Sequence, residues 1–117
     1  MDDRFTQQLK KGVLEMLVLD LLCKKNAYGY ELLTLLKEYS GSLFTLKEGT
    51  LYPILYRLED EGLIEASWSQ GEGRIAPKKM YAPTAEGRVE NNRRQSVWQM
   101  FSNAVNLFLL EDQNHEI

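Results

Sequence analysis

Cysteine and histidine are almost missing: Cys23 and His115 are the only ones in the 117 residues. A single thiol excludes an internal disulfide. With no second histidine, no cysteine pair and no carboxylate cluster at ligand spacing, no metal site, cofactor or catalytic triad is expected, and the chain is read as a non-enzyme. Cys23 lies in an apolar helical run, the setting of a buried, inert thiol, and a reducing cytoplasm is the expected compartment. Long hydrophobic runs are also lacking. Val13 to Leu22 is the most apolar stretch, but Glu15 and Asp20 interrupt it and it is too short to span a bilayer. No signal-peptide pattern precedes it, so a soluble chain with no membrane partner is expected. Gly71-Glu72-Gly73 is followed by neither Lys-Ser nor Lys-Thr and opens no helix, which excludes a phosphate-binding loop.

Positive charge is in short supply, with a formal net charge of −3. The excess acid sits at the ends, in Asp2, Asp3, Glu111, Asp112 and Glu116, and without these the balance is slightly positive. The cations cluster at Arg4, Lys10 and Lys11, at Arg74, Lys78 and Lys79, and at Arg88, Arg93 and Arg94. A local basic surface matters more to a polyanion than the global balance. Length and composition otherwise fit one ordinary globular domain with a real core.

The most informative stretch is Lys47 to Ile64, KEGTLYPILYRLEDEGLI. Leu51, Ile54, Leu55 and Leu58 fall at helical spacing on one side, and Gly62 stops the helix. Thr50, Pro53 and Arg57 share the other side, flanked by Tyr52 and Tyr56. Hydroxyls, phenols and one guanidinium suit a groove of DNA better than a solvated face. Pro53 lacks a donor and crowds the carbonyl four residues back, so the first turns are expected to be loosened.

In chain order, Thr6 to Lys24 reads as a first helix, apolar on so much of its circumference that it is buried from two sides. Tyr28 to Tyr39 reads as a second helix, ended by Ser40-Gly41-Ser42. Helix, brief turn and helix from Ala27 to Gly62 make a helix-turn-helix unit. Leu63 to Gln70 and Lys78 to Ala82 read as a hairpin carrying Arg74, Lys78 and Lys79 at its tip, either as a solvated loop or as a phosphate-tracking wing. A long last helix runs from an N-cap at Thr84 to about Glu111. Its apolar seam, through Val97, Phe101 or Met100, Ala104 and Phe108, approaches heptad spacing and calls for a partner. The simplest partner is the same helix and the first helix of a second copy, with Val13, Leu17, Val97, Phe101, Ala104 and Phe108 at the interface. Packing within a monomer is the alternative.

The sequence GTLYPILYRLEDEGLI resembles the recognition-helix signature of the PadR family of bacterial transcription regulators. Ala27-Tyr28-Gly29-Tyr30-Glu31-Leu32 is similar to the opening of that family's second helix, and Lys79 to Tyr81 with Thr84 and Gly87 to its second wing strand and following turn. Together these cover residues from about 5 to about 110, and the length matches the short subgroup. Ile75-Ala76-Pro77, Met80 and Pro83 depart from the pattern in the wing. The resemblance implies a homodimer on a palindromic operator in double-stranded DNA. Lys47, Thr50, Tyr52, Pro53, Tyr56 and Arg57 then enter or flank the major groove, Tyr28 holds the backbone, and Arg74, Lys78 and Lys79 track phosphates. Multidrug-sensing members of the short subgroup carry a tryptophan where this chain has Trp98, paired across a dimer cavity that accepts flat aromatic compounds. That implies an effector site of Met16, Asp20, Trp98 and Phe101. On the residues alone Trp98 reads first as a packing residue of the dimer core, and only the resemblance brings the two readings level.

The expected fold is therefore mainly α with a two-stranded β wing (α+β): a winged helix-turn-helix DNA-binding domain over residues 1–83, then a C-terminal dimerisation helix and acidic tail over 84–117. The expected function is a sequence-specific regulator, most simply a repressor released by a small aromatic effector. A winged helix used as a protein–protein module is the alternative.

Overall fold

Asp3 starts the first helix. In the computed structural model, which describes residues 3–71 and 73–114 and the side chains of these up to Leu110, its carboxylate accepts the Thr6 N–H at 2.8 Å. That cap sets α1 at Arg4–Lys24, two residues earlier than the apolar pattern suggests, because a cap is a side-chain bond and not a hydrophobic signal. There follow β1 (Ala27–Tyr28), α2 (Gly29–Tyr39), α3 (Glu48–Asp60), β2 (Ile64–Trp68), β3 (Lys79–Pro83) and α4 (Ala85–Asn114).

The two-stranded wing is present as β2 and β3, and the sheet gains a further strand in β1. Its three strands lie in the order β1-β3-β2, all antiparallel, with Ala27 opposite Tyr81 and Ala66 also opposite Tyr81 from the other side. A two-residue strand has no periodicity to detect, so β1 exists only through its pairing with β3. Tyr28 therefore belongs to β1 and precedes α2, and its N–H donates to Glu31 Oε1 at 2.9 Å. The first wing strand is shorter than the alternation suggests, and the second keeps its length but lies one residue later. Ser69 N–H donates to the Lys78 carbonyl at 2.7 Å and Lys78 N–H to Ser69 Oγ at 2.8 Å, which closes the ladder before the loop.

α3 runs unbroken through Pro53, so the proline does not end the helix. The ring falls in the first two turns, where Thr50 and Leu51 N–H both already converge on the Lys47 carbonyl. Gly62, at φ +74°, ends the helix in a conformation that only glycine adopts cheaply. Leu63 N–H then reaches back to the Leu58 carbonyl at 3.0 Å.

The core is one cluster under the sheet and between the first three helices: Leu14, Val18, Leu19 and Leu22 of α1, Leu32 and Leu36 of α2, Leu51, Ile54, Leu55 and Leu58 of α3, and Tyr81 of β3. Thr84 joins core to tail. Its hydroxyl donates to the Gly62 carbonyl at 2.6 Å and accepts Gly87 N–H at 3.0 Å, which makes it the N-cap of α4. The N-terminal third of α4 lies on α1; from Val97 onward its apolar residues are largely exposed. Among the described residues no helix is long and apolar enough to cross a membrane. Asp2, Glu72, His115 and Glu116, and the side chains of Glu111 and Asp112, lie outside the described residues.

Candidate nucleic-acid interface

The buried stripe of α3 fixes which side of it faces outward. With Leu51, Ile54, Leu55 and Leu58 held in the core, Gly49, Thr50, Pro53, Tyr56 and Arg57 are exposed, and Lys47 stands exposed at the N-cap. Tyr52 lies differently. It is half-buried, and its hydroxyl end packs so closely on Gly29 that a Cβ there would meet Tyr52 Oη. Gly29 is thus the residue that lets the start of α2 approach α3. Tyr56 stays outside, its ring 6.3 Å from that of Tyr52.

The face of α3 opens toward α1 across a groove of about 770 Å³ walled by Arg4, Gln7, Gln8, Lys10 and Lys11 on one side and Lys47, Gly49, Thr50, Pro53 and Arg57 on the other. Among the described residues Glu15 is the one carboxylate in this wall, and it accepts a bond from Arg57 Nε at 2.5 Å.

On the opposite flank the wing brings two lysines up to aromatic rings. Lys78 Nζ lies 5.9 Å and 5.1 Å from the ring centres of Tyr28 and Tyr30, which are themselves stacked 5.8 Å apart and 8° from parallel. Such a platform holds an ammonium without neutralising it. Tyr30 was not singled out by the sequence, although its spacing from Tyr28 across Gly29 was visible. Lys79 is more constrained: its Nζ bonds Glu59 Oε1 at 3.3 Å and faces the rings of Tyr56 and Tyr81. Partial burial lowers the Lys79 pKa, but the bond to Glu59 and the neighbouring Tyr81 outweigh it and hold the ammonium above its ordinary value. Arg74 is exposed in the wing loop.

A second cleft, about 290 Å³, lies between α1 and α4. Gly12, Val13, Glu15 and Met16 line one side, and Arg93, Arg94, Val97, Trp98 and Phe101 the other. Trp98 and Phe101 lie 6.4 Å apart. The structure thus brings together three of the four residues expected around an effector, Met16, Trp98 and Phe101, but not Asp20. That carboxylate is taken up elsewhere: Asn91 Nδ2 and Gln95 Nε2 donate to its Oδ1 at 3.2 and 2.7 Å, and Lys24 Nζ lies 2.8 Å from its Oδ2. A helical face shows where Asp20 points, not which residue 71 positions later meets it. The charges that do line the cleft are one carboxylate, Glu15, and two guanidinium groups, Arg93 and Arg94. Of the residues expected at a dimer interface, Val13 and Val97 line this cleft, Leu17 packs on the core, and Ala104 and Phe108 are exposed farther along α4.

Among the described residues no group of three or more histidines, cysteines and acids could hold a metal. Three helices, an outward-facing third helix and a lysine-bearing wing define a winged helix-turn-helix protein. The chain matches the Transcriptional regulator PadR-like family over residues 18–93, and it belongs to that family, whose members are transcription regulators and not enzymes. A PadR family regulator from Eggerthella lenta is similar at a TM-score of 0.79 and 32% identity, over 90% of this chain and 88% of that one. The negative transcriptional regulator PadR of Bacillus subtilis is 36% identical over 67% of this chain but only 42% of its own length. The crystal structure of Bacillus subtilis PadR in complex with operator DNA is similar at a TM-score of 0.63 and 34% identity, over 71% of this chain and 47% of that chain. This chain therefore spans less than half of that relative.

Proposed function

We propose that this protein is a homodimeric, cytoplasmic, sequence-specific DNA-binding repressor, with residues 1–83 binding DNA and 84–117 holding the dimer and its acidic tail. The observation that carries the reading is the outward side of α3. Thr50, Pro53, Tyr56 and Arg57 form a strip of hydroxyls and one ring whose single charge is the Arg57 guanidinium, bounded by Lys47 at one end and by the wing lysines on the flank. A solvated helix has no reason to leave such a strip bare, whereas a major groove reads hydroxyls and a guanidinium directly. Tyr28, Arg74, Lys78 and Lys79 would contact the backbone, and Tyr52 would support the strip from beneath. A negative regulator and an operator-bound structure among the relatives support a repressor acting on an operator.

The effector reading rests on the α1–α4 cleft. A planar aromatic compound stacked on Trp98 beside Met16 and Phe101 would act as inducer by favouring a spacing of the two α3 helices that the operator does not match.

Fluorescence anisotropy against the DNA flanking the protein's own gene tests the main reading. Specific binding to a palindromic site is expected, and Arg57→Ala is expected to weaken it by about 1–3 kcal/mol with the fold intact. Equal affinity for that DNA and for random sequence at physiological salt would leave the protein–protein module as the better reading.

A further inference from the structure

Arg57 is the only cation within α3, which also carries Glu48, Glu59 and Asp60. It is not free. Its Nε is bonded to Glu15 on α1, 42 positions earlier in the chain. Glu15 is the more buried partner, 31% exposed against 57% for Arg57, so the carboxylate is the fixed member and the guanidinium the one that reaches outward. The pair does not explain how α1 and α3 are joined, because Leu14 and Ile54 already bury that junction in the core and exposed ion pairs add little stability. A carboxylate in the wall of an otherwise basic groove repels any phosphate that enters. Some other advantage must offset that cost.

Resting on the DNA-binding reading above, we propose that Glu15 is a positioning residue for sequence discrimination: it holds Arg57 by Nε so that the two terminal nitrogens present a fork to a guanine edge, while its own charge disfavours a phosphate there. The chemistry of the two acceptors differs in the way this requires. Guanine O6 and N7 are neutral and accept the fork end-on, so they keep the Glu15 bond and gain rigidity from it. A phosphate can take the same fork, but it carries a negative charge that the nearby Glu15 carboxylate repels, a penalty a neutral guanine edge does not meet. Glu15 thus weakens binding at random sequence while leaving binding at a guanine-bearing site intact or stronger.

The test is a double-mutant cycle on the full chain, with a site enriched from a random DNA pool by the wild type and with random duplex as the second probe. Glu15→Gln is nearly isosteric, and equal melting temperatures establish that it folds. It is expected to raise affinity for random duplex several-fold, to steepen its salt dependence by about one contact, and to lower the ratio of specific to random affinity by roughly five- to tenfold. In an Arg57→Ala background the same substitution is expected to leave that ratio unchanged. An unchanged ratio in the wild-type background, or an equal change without Arg57, overturns the positioning role alone. Absence of any site preference in the wild type overturns it together with the DNA-binding reading.

Discussion

A Cβ on Gly87 would lie against the backbone carbonyl of Leu63, which already accepts the Thr84 N–H at 3.0 Å. At an ordinary helical position glycine-to-alanine stabilises by about 1 kcal/mol. Here the close approach reverses the sign: Gly87→Ala is expected to cost about 1–3 kcal/mol, because α4 must lift from the start of β2. Thermal melting distinguishes the two, since a raised melting temperature would mean that α4 is not held there. Glu90 gives a second residue-scale prediction. Hydrogen bonds from Arg93 and then Arg94 pull its pKa from 4.5 down to about 2. A carboxyl more acidic in the folded state stabilises the fold fully above pH 4.5 and loses that contribution as pH falls toward 2. The melting temperature of the wild type is therefore expected to fall through this window more than that of Glu90→Gln. Parallel curves would show that the arginines do not hold this carboxylate. The Gly87 contact was not legible in the sequence, because Leu63 is brought to it by the fold, whereas Glu90 meets Arg93 and Arg94 at the i,i+3 and i,i+4 spacing of a single helix.

At the scale of elements, the wing separates its two lysines by what they rest on. Lys78 lies over the stacked Tyr28 and Tyr30 rings with its charge uncompensated by any carboxylate in the described contacts, whereas Lys79 is bonded to Glu59. Lys78→Ala is accordingly expected to lower affinity on every DNA sequence and to flatten the salt dependence by about one contact. Lys79→Ala should change the slope by less, since its charge is already partly spent. Titrations at a series of salt concentrations read both, and equal slopes for the two variants would contradict the assignment. The recognition helix was legible almost residue for residue, since its buried stripe has a strong period. The wing was legible as a hairpin, but β1, which pairs with it, is too short for a pattern, and its lysines could not be told apart without Glu59 and the tyrosines.

For the molecule as a whole, the radius of gyration is 17.4 Å and the extents are 71 × 33 × 20 Å, against about 13 Å for a compact domain of this length. The difference is α4, whose 30 residues reach about 45 Å. From Val97 onward it exposes Val97, Trp98, Phe101, Val105 and Phe108, and α1 exposes Phe5 and Leu9. Apolar surface of that extent is costly in water. Phe101→Glu with Phe108→Glu is expected to give monomers by sedimentation, and operator affinity should collapse as the linked second half-site is lost. A wild type that sediments as a monomer at micromolar concentration would refute the dimer. Within that dimer, a planar aromatic dye is expected to quench Trp98 emission saturably and to weaken operator binding, and Trp98→Ala to abolish both. Trp68→Phe is the control, because Trp68 is 68% exposed in the wing and fluoresces as well. If a panel of planar aromatics changes neither signal, Trp98 is a packing residue.

The sequence by itself determined the helix order, the outward strip on α3 and the excess apolar surface of the last helix. All three are periodicities or local signals that one segment carries alone. Tertiary structure decided the pairings between segments. It gave Asp20 to Asn91 and Gln95 instead of the Trp98 cleft, turned Tyr52 onto Gly29, and set Glu15 against Arg57. Each joins residues far apart in the chain, and a helical repeat specifies the direction a side chain takes but carries no information about what the fold brings to meet it.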